Sequence, residues 1–168
     1  MSDVPHTSEM QIPLAGLLDA ARLAILAEFE RDLDAAGYGD VRPTHGCVFR
    51  FVRGEGMRLT ELAQLAAMTK QSVGEVVDGL VELGYVERVP DPLDRRAKLI
   101  RLTDRGAEAQ RVGFGLFARL EARLAERFGP ERVAEMRALL EEVVAAEAPQ
   151  AVPELTRAEL AHAELAVS

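Results

Sequence analysis

The sequence predicts a mainly α protein carrying one small β-hairpin, and three observations predict it. Ala, Leu, Glu and Arg dominate a chain with only 5% aromatic residues and no Trp, and such side chains lose little freedom in a helix. Apolar residues recur at helical spacing through most of the length. The period changes to two in only two short runs, close together, with a proline-rich turn between them.

The first helix begins at Leu14, with Leu18, Ala21, Ile25 and Phe29 at helical spacing among charged residues; Gly37 and Gly39 end it. A shorter helix is expected from Pro43-Thr44 to about Val52. Gly54 and Gly56 break the chain, and Met57 to Leu59 reads as a brief extended piece. Thr60 stands where an N-cap would be, before Leu62, Ala63 and Ala66. A second cap residue, Thr69, limits that helix to about two turns. Then Val73, Val76, Val77, Leu80 and Leu83 form one inward stripe, leaving Lys70, Gln71, Gly74, Glu75 and Asp78 outward. Gly84 is placed to stop the helix in the left-handed conformation.

Residues 85–89 and 98–102 alternate like strands, and 90–97 is read as an eight-residue connection with two prolines and turn-forming Asp residues. Helix, tight turn, helix and then such a hairpin make the winged helix-turn-helix plan. Thr103 can cap a long helix to about Phe128, with Phe117, Leu120, Leu124 and Phe128 as its stripe. At roughly 37 Å that helix is too long for a small winged domain to bury. Gly129-Pro130 separates it from a further helix through Val133, Met136, Leu140, Val143 and Val144.

Composition excludes several classes. Apolar residues at 48% and charged residues at 29% suit a soluble globular protein. No run approaches the ~18 apolar residues of a membrane span, and Met1 to Pro13 lacks the pattern of a signal peptide, so a cytoplasmic protein without a membrane partner is expected. One cysteine, Cys47, and three scattered histidines leave no disulfide and no metal cluster. No nucleophile-base constellation or glycine-rich phosphate loop points to an enzyme, and no cofactor is implied.

A net charge of −8 argues at first against nucleic acid, but its distribution argues the other way. Residues 1–42 carry three basic and eight acidic side chains, and residues 112–168 carry six and ten. Within the middle, 88–105 has six basic residues against three acidic ones. An acidic scaffold with one basic surface binds DNA in one orientation. The first turn of the second short helix, Thr69, Lys70, Gln71 and Ser72, carries small and polar side chains suited to base edges and phosphates of the major groove. The hairpin places Arg95 and Arg96 where a guanidinium can enter a narrow minor groove, with Asp94 to pair with a neighbouring Arg and hold its planar fork. Glu75 and Asp78 turn the helix acidic one turn later, which concentrates contact in the first turn and the hairpin.

These runs together resemble the MarR family (multiple antibiotic resistance regulators). The resemblance rests on Leu59-Thr60-Glu61-Leu62-Ala63, Met68-Thr69-Lys70-Gln71-Ser72-Val73 and Leu83-Gly84-Tyr85-Val86-Glu87-Arg88. It rests most specifically on Asp91-Pro92-Leu93-Asp94-Arg95-Arg96-Ala97-Lys98 leading to Leu102-Thr103-Asp104-Arg105-Gly106. It covers roughly 14–148 and implies Arg96 as the minor-groove reader, Asp94 as its positioner and 69–83 as the recognition helix. It departs from the family at Glu75, where many members are basic. It departs again at Ala67, where Gly is common and Ala requires a negative φ.

The resemblance also implies a fold: a winged helix-turn-helix domain (43–105) flanked by dimerisation helices (14–42 and 106–148), with an arm at 1–13 and a tail at 149–168. Its implied partners are duplex DNA with a pseudo-palindromic operator, a second copy of the chain, and a small, often aromatic, effector. The implied outcome is repression. The effector cleft would be lined by Leu18, Arg22, His45, Phe49, Phe114 and Phe117, although a helical aromatic stripe is more often plain core. Cys47 and His45 would point about 200° apart on a helix, so Cys47 reads as a buried structural residue rather than half of a reactive pair. The rival reading is a winged helix used as a protein-interaction module, which would more readily expose an apolar patch than Arg95 and Arg96.

Overall fold

The computed structural model describes residues 12–147. Residues 1–11 of the expected arm and the whole of the tail at 149–168 lie outside the described residues. The helices are α1 (Leu14–Ala35), α2 (Gly46–Phe51), α3 (Leu59–Leu65), α4 (Lys70–Glu82), α5 (Asp104–Phe128) and α6 (Pro130–Glu147). The strands are β1 (Met57–Arg58), β2 (Val86–Asp91) and β3 (Asp94–Leu102), in an antiparallel sheet of order β1-β3-β2.

The second predicted helix is split, with a 3₁₀ turn at Pro43–His45 leading into α2. The extended piece at 57–59 is β1, which pairs Met57 with Ile100 and Arg58 with Leu99. It runs straight into α3, so Arg58, not Thr60, occupies the N-cap position, and no side chain caps that end. The hairpin is longer than the expected strands. Pairing runs from Val86–Leu102 to Pro90–Lys98 and resumes at Asp91–Asp94, leaving 95–97 as an irregular bulge in β3. Pro90 is tolerated because β2 lies at the edge of the sheet, where a missing donor breaks no central ladder.

One core holds the winged domain together. Val48, Val52, Leu62, Ala63, Val73, Val77, Leu80, Tyr85, Val86, Ile100 and Ala109 form a single buried cluster from α2, α3, α4, β2, β3 and α5. The expected α4 stripe is its centre: Val73, Val77 and Leu80 are fully buried, while Val76 and Leu83 pack at its margin. Gly106 brings α5 against this unit, since a Cβ there would collide with the Tyr85 carbonyl oxygen. Gln110 reinforces the contact by donating to the carbonyls of Phe49 (2.5 Å) and Val52 (2.9 Å) at the end of α2.

The expected turn at Ala67 is where local reasoning and structure part. Ala67 has φ +50°, not a negative value. Its N–H donates to Gln64 O (3.1 Å) and that of Met68 to Ala63 O (3.0 Å), the paired bonds of a Schellman ending. Satisfying two helix-end carbonyls at once demands the left-handed conformation, whichever residue stands there.

The long helices pack differently from the periodic reading. On α5 the buried positions are Gly106, Ala109, Leu116 and Leu120, whereas Phe117 and Phe128 stay largely exposed. Phe117 stacks on Phe29 of α1 with ring centroids 4.3 Å apart. On α1 only Leu33 is buried, and Leu14, Leu17, Leu18 and Leu23 are exposed.

Candidate nucleic-acid interface

The first turn of α4 is held open and ready by its own residues. Thr69 Oγ1 accepts from the Ser72 N–H (3.1 Å), and the Thr69 and Ser72 hydroxyls lie 2.8 Å apart. Thr69 therefore caps the helix, with the Ser72 hydroxyl bonded to it rather than capping itself, and Lys70 and Gln71 remain exposed beside them. Lys70 makes no ion pair among the described residues, and Gln71 Nε2 donates to Glu75 at 3.3 Å.

The acidic outward face of α4 is offset from within the protein. Arg88 of β2 pairs with Asp78 at 2.5 Å, which removes most of that objection to a DNA-facing helix. The same pairing shows that the charge count over 88–105 overstates the free positive surface. Arg101 pairs with Glu87 (2.8 Å) across the sheet, and Arg105 pairs with Asp40 (2.9 Å). Arg96 and Lys98, both exposed and both on β3, are left without a carboxylate partner among the described residues. The side chain of Arg95 lies outside the described residues.

Asp94 acts on Arg96 through the main chain. Its Oδ1 accepts from the Arg96 backbone N–H (3.0 Å), an Asx turn that shapes the bulge, rather than gripping the Arg96 guanidinium. Among the described residues, the guanidinium paired with Asp94 belongs to Arg58, whose Nη2 is 3.9 Å from Asp94 Oδ2. Arg58 makes its main contact with Asp91, donating from Nε at 2.7 Å. The Leu93 N–H and then Arg58 hold the Asp91 carboxyl below its ordinary range.

A second cluster ties the ends of four segments together. Tyr85, fully buried, donates its hydroxyl to Asp40 Oδ1 (2.5 Å). Arg105 donates to Asp40 Oδ2 (2.9 Å), to Tyr85 Oη (3.0 Å) and to the Leu83 carbonyl (2.9 Å), its guanidinium carbon 4.4 Å from the centre of the Tyr85 ring. Burial, then the Asp40 carboxylate, pushes the Tyr85 hydroxyl up to about 12. Both clusters escaped the sequence reading, because their long-range bonds join residues 20 to 65 positions apart and no local pattern announces the pairing.

The six residues expected to line an effector cleft make these contacts. Arg22 pairs with Asp19 (3.0 Å) on an exposed face of α1, where Leu18 is also exposed. Phe49 meets Tyr85 edge to face, Phe117 stacks on Phe29, and Arg53 sits over Phe114. His45 Nδ1 accepts from the Arg42 N–H (3.0 Å), and burial lowers its pKa. Cys47 is half-buried rather than fully so; it donates to the Thr44 carbonyl, and burial raises its pKa, as befits an unreactive thiol. An open, mostly apolar groove lies elsewhere, between α5 and α6, lined by Ala118, Ala122, Ala125, Val133 and Ala138 among others.

A capped second helix, a basic hairpin and a β1-β3-β2 sheet around one core define a winged helix-turn-helix protein. A family model described as the MarR family matches residues 40–97. The HTH-type transcriptional regulator PetP of Rhodobacter capsulatus is 34% identical over 116 residues, 68% of this chain and 68% of that protein. The reduced form of MarR from E. coli superposes with a TM-score of 0.67 at 25% identity, over 80% of this chain and 98% of that one. The transcriptional repressor CouR, solved bound to a 23-mer DNA duplex, gives 0.68 at 23% identity, over 85% and 99%. The chain belongs to the MarR family of winged helix-turn-helix transcriptional regulators. No helix among the described residues is long and apolar enough to cross a membrane.

Proposed function

We propose that this protein is a homodimeric repressor that reads a pseudo-palindromic operator. The first turn of α4, Thr69 to Ser72, enters the major groove, and the wing, Asp94 to Arg96, enters the adjacent minor groove. The observation that carries this reading is the distribution of unpaired charge. Arg88, Arg101 and Arg105 are spent on carboxylates of the protein itself, while Lys70, Arg96 and Lys98 stand exposed and free among the described residues. Those three flank the surfaces that a groove-inserted helix and wing would present. CouR, which shares the fold, was solved with DNA.

The dimer is formed by the helices at 14–42 and 106–148, several of whose apolar residues, Leu14, Leu17, Leu23, Met136 and Leu139 among them, are left exposed in a single chain. Two recognition helices related by a two-fold axis then meet successive major grooves about one turn of DNA apart. A small aromatic effector would enter between these helices and the winged domain, beside the half-buried His45, Phe49 and Phe114 and near Leu18, Arg22 and Phe117.

The deciding experiment is salt-dependent binding of the purified protein to the intergenic DNA beside its own gene, comparing wild type with Arg96→Ala. Specific binding on the order of 10⁻⁸ M is expected, weakened by roughly 1–3 kcal/mol in the variant. Equal, weak and sequence-independent binding by both proteins would discard the operator reading and bring forward a winged helix that binds protein.

A further inference from the structure

Arg58 is unused by the DNA contacts proposed above, yet it is the side chain that ties the wing tip to the helix-turn-helix. It ends β1 and occupies the N-cap position of α3. Its partner, Asp91, ends β2 at the far side of the hairpin and is a charged residue buried to 4% exposure. Arg58 donates to Asp91 Oδ2 from Nε (2.7 Å), and its Nη2 forms an ion pair with the same oxygen at 2.6 Å. The other Asp91 oxygen accepts the Leu93 N–H at 2.8 Å, which folds the tip back. The same guanidinium lies 3.9 Å from Asp94 Oδ2, and Asp94 Oδ1 holds the Arg96 N–H at 3.0 Å.

A continuous series of charge-assisted contacts therefore runs from the entry of α3 to the backbone of Arg96. β1 pairs with β3 at only two positions, Met57–Ile100 and Arg58–Leu99, in the middle of the hairpin opposite Arg88 and Val89 and short of its tip. Beyond Pro90–Lys98 the strand register is broken by the bulge. The backbone ladder alone thus leaves the tip weakly held, and Arg58 supplies the missing strut.

We infer that Arg58 is a positioning residue for DNA recognition, holding the wing tip and Arg96 at a fixed offset from the recognition helix through Asp91 and Asp94. The inference rests on the reading of Arg96 as the minor-groove contact. A tip released from the strut samples several orientations, and apparent affinity falls in proportion to the fraction that remains competent. Arg is suited to this task because its planar fork donates from two nitrogens in a fixed geometry, which Lys does not.

The test is a double-mutant cycle of Arg58→Met and Arg96→Ala on the same DNA, together with amide hydrogen exchange of the free proteins. Arg58→Met should weaken specific binding about tenfold on the wild-type background. On the Arg96→Ala background it should cost less than about twofold, because the contact it positions is already gone. The slope of log affinity against log salt should stay unchanged, and exchange should speed at Leu93 and Arg96 but not within α4. Additive losses with a slope reduced by about 0.9 would instead make Arg58 a direct phosphate ligand and overturn the inference. Faster exchange throughout α4 would reduce it to general stabilisation and overturn it equally. Should Arg96→Ala bind as well as wild type, the reading of Arg96 falls by itself. Exchange at Leu93 and Arg96 then decides whether Arg58 holds the tip: loss of protection upholds the strut, and unchanged protection removes it.

Discussion

Ala67 carries a local cost for the tight turn between α3 and α4. α1, α3 and α4 all end with the same pair of hydrogen bonds, and at α1 and α4 the left-handed position is glycine, Gly37 at φ +91° and Gly84 at +77°. Only α3 uses an L-residue there, and a Cβ in that conformation costs roughly 1–2 kcal/mol. Glycine would relieve the clash but add roughly 0.4–1 kcal/mol of chain entropy to the unfolded state. Ala67→Gly should therefore raise stability by up to about 1 kcal/mol, read from the denaturant midpoint at unchanged slope. A lower midpoint would mean that the turn holds Ala67 without strain. The position is exposed and lies outside the buried core cluster, so the effect falls mainly on the backbone.

Among the elements, the junction of α4, β2 and α5 is governed by Tyr85, Asp40 and Arg105. Tyr85 follows Gly84 directly, Thr103 donates its N–H to the Tyr85 carbonyl (3.0 Å), and Gly106 lets α5 lie against that carbonyl. The end of α4 is thus fixed to the same helix, α5, that continues away from the winged domain. Tyr85 titrates at about 12 in the folded protein against an ordinary value of 10.0. Between those values the folded chain keeps a proton that the unfolded chain has lost. Its stabilising contribution is complete below pH 10 and is lost as pH rises through about 12. Tyr85→Phe should flatten this alkaline limb of a stability-against-pH profile. An alkaline limb of equal steepness in the variant would assign the loss to other groups.

For the whole molecule, the apolar residues left outside any core are concentrated on the long helices. Leu14 is 69% exposed and Leu139 61%, joined by Leu17, Leu23, Met136 and Val143. A single winged domain has no surface to cover them, and such an exposed apolar area marks an association site. If the proposed dimer is built on these helices, replacing Leu17 and Leu139 together by Glu should yield monomers in sedimentation at micromolar concentration, with the far-UV helical signal retained. Operator binding should weaken in parallel, since two half-sites are no longer read by one particle. A double variant that still sediments as a dimer would move the interface away from α1 and α6.

The sequence by itself determined the element types, the α4 stripe, the caps at Thr69 and Thr103, the stop at Gly84 and the candidate groove-facing residues. Each depends on neighbours within a turn or a strand pair, where periodicity and capping chemistry act. Tertiary structure decided the rest. It made Arg58–Asp91 a strut, Asp40–Tyr85–Arg105 a clamp and Ala67 left-handed, and it neutralised three of the six basic residues in 88–105. It also buried Leu116 of α5 beside the expected Leu120 and left Phe117 stacked on Phe29 at the surface. The physical reason is common to these cases. Side-chain ion pairs and helix-helix contacts join residues tens of positions apart, and only the packed core sets which of them come within reach.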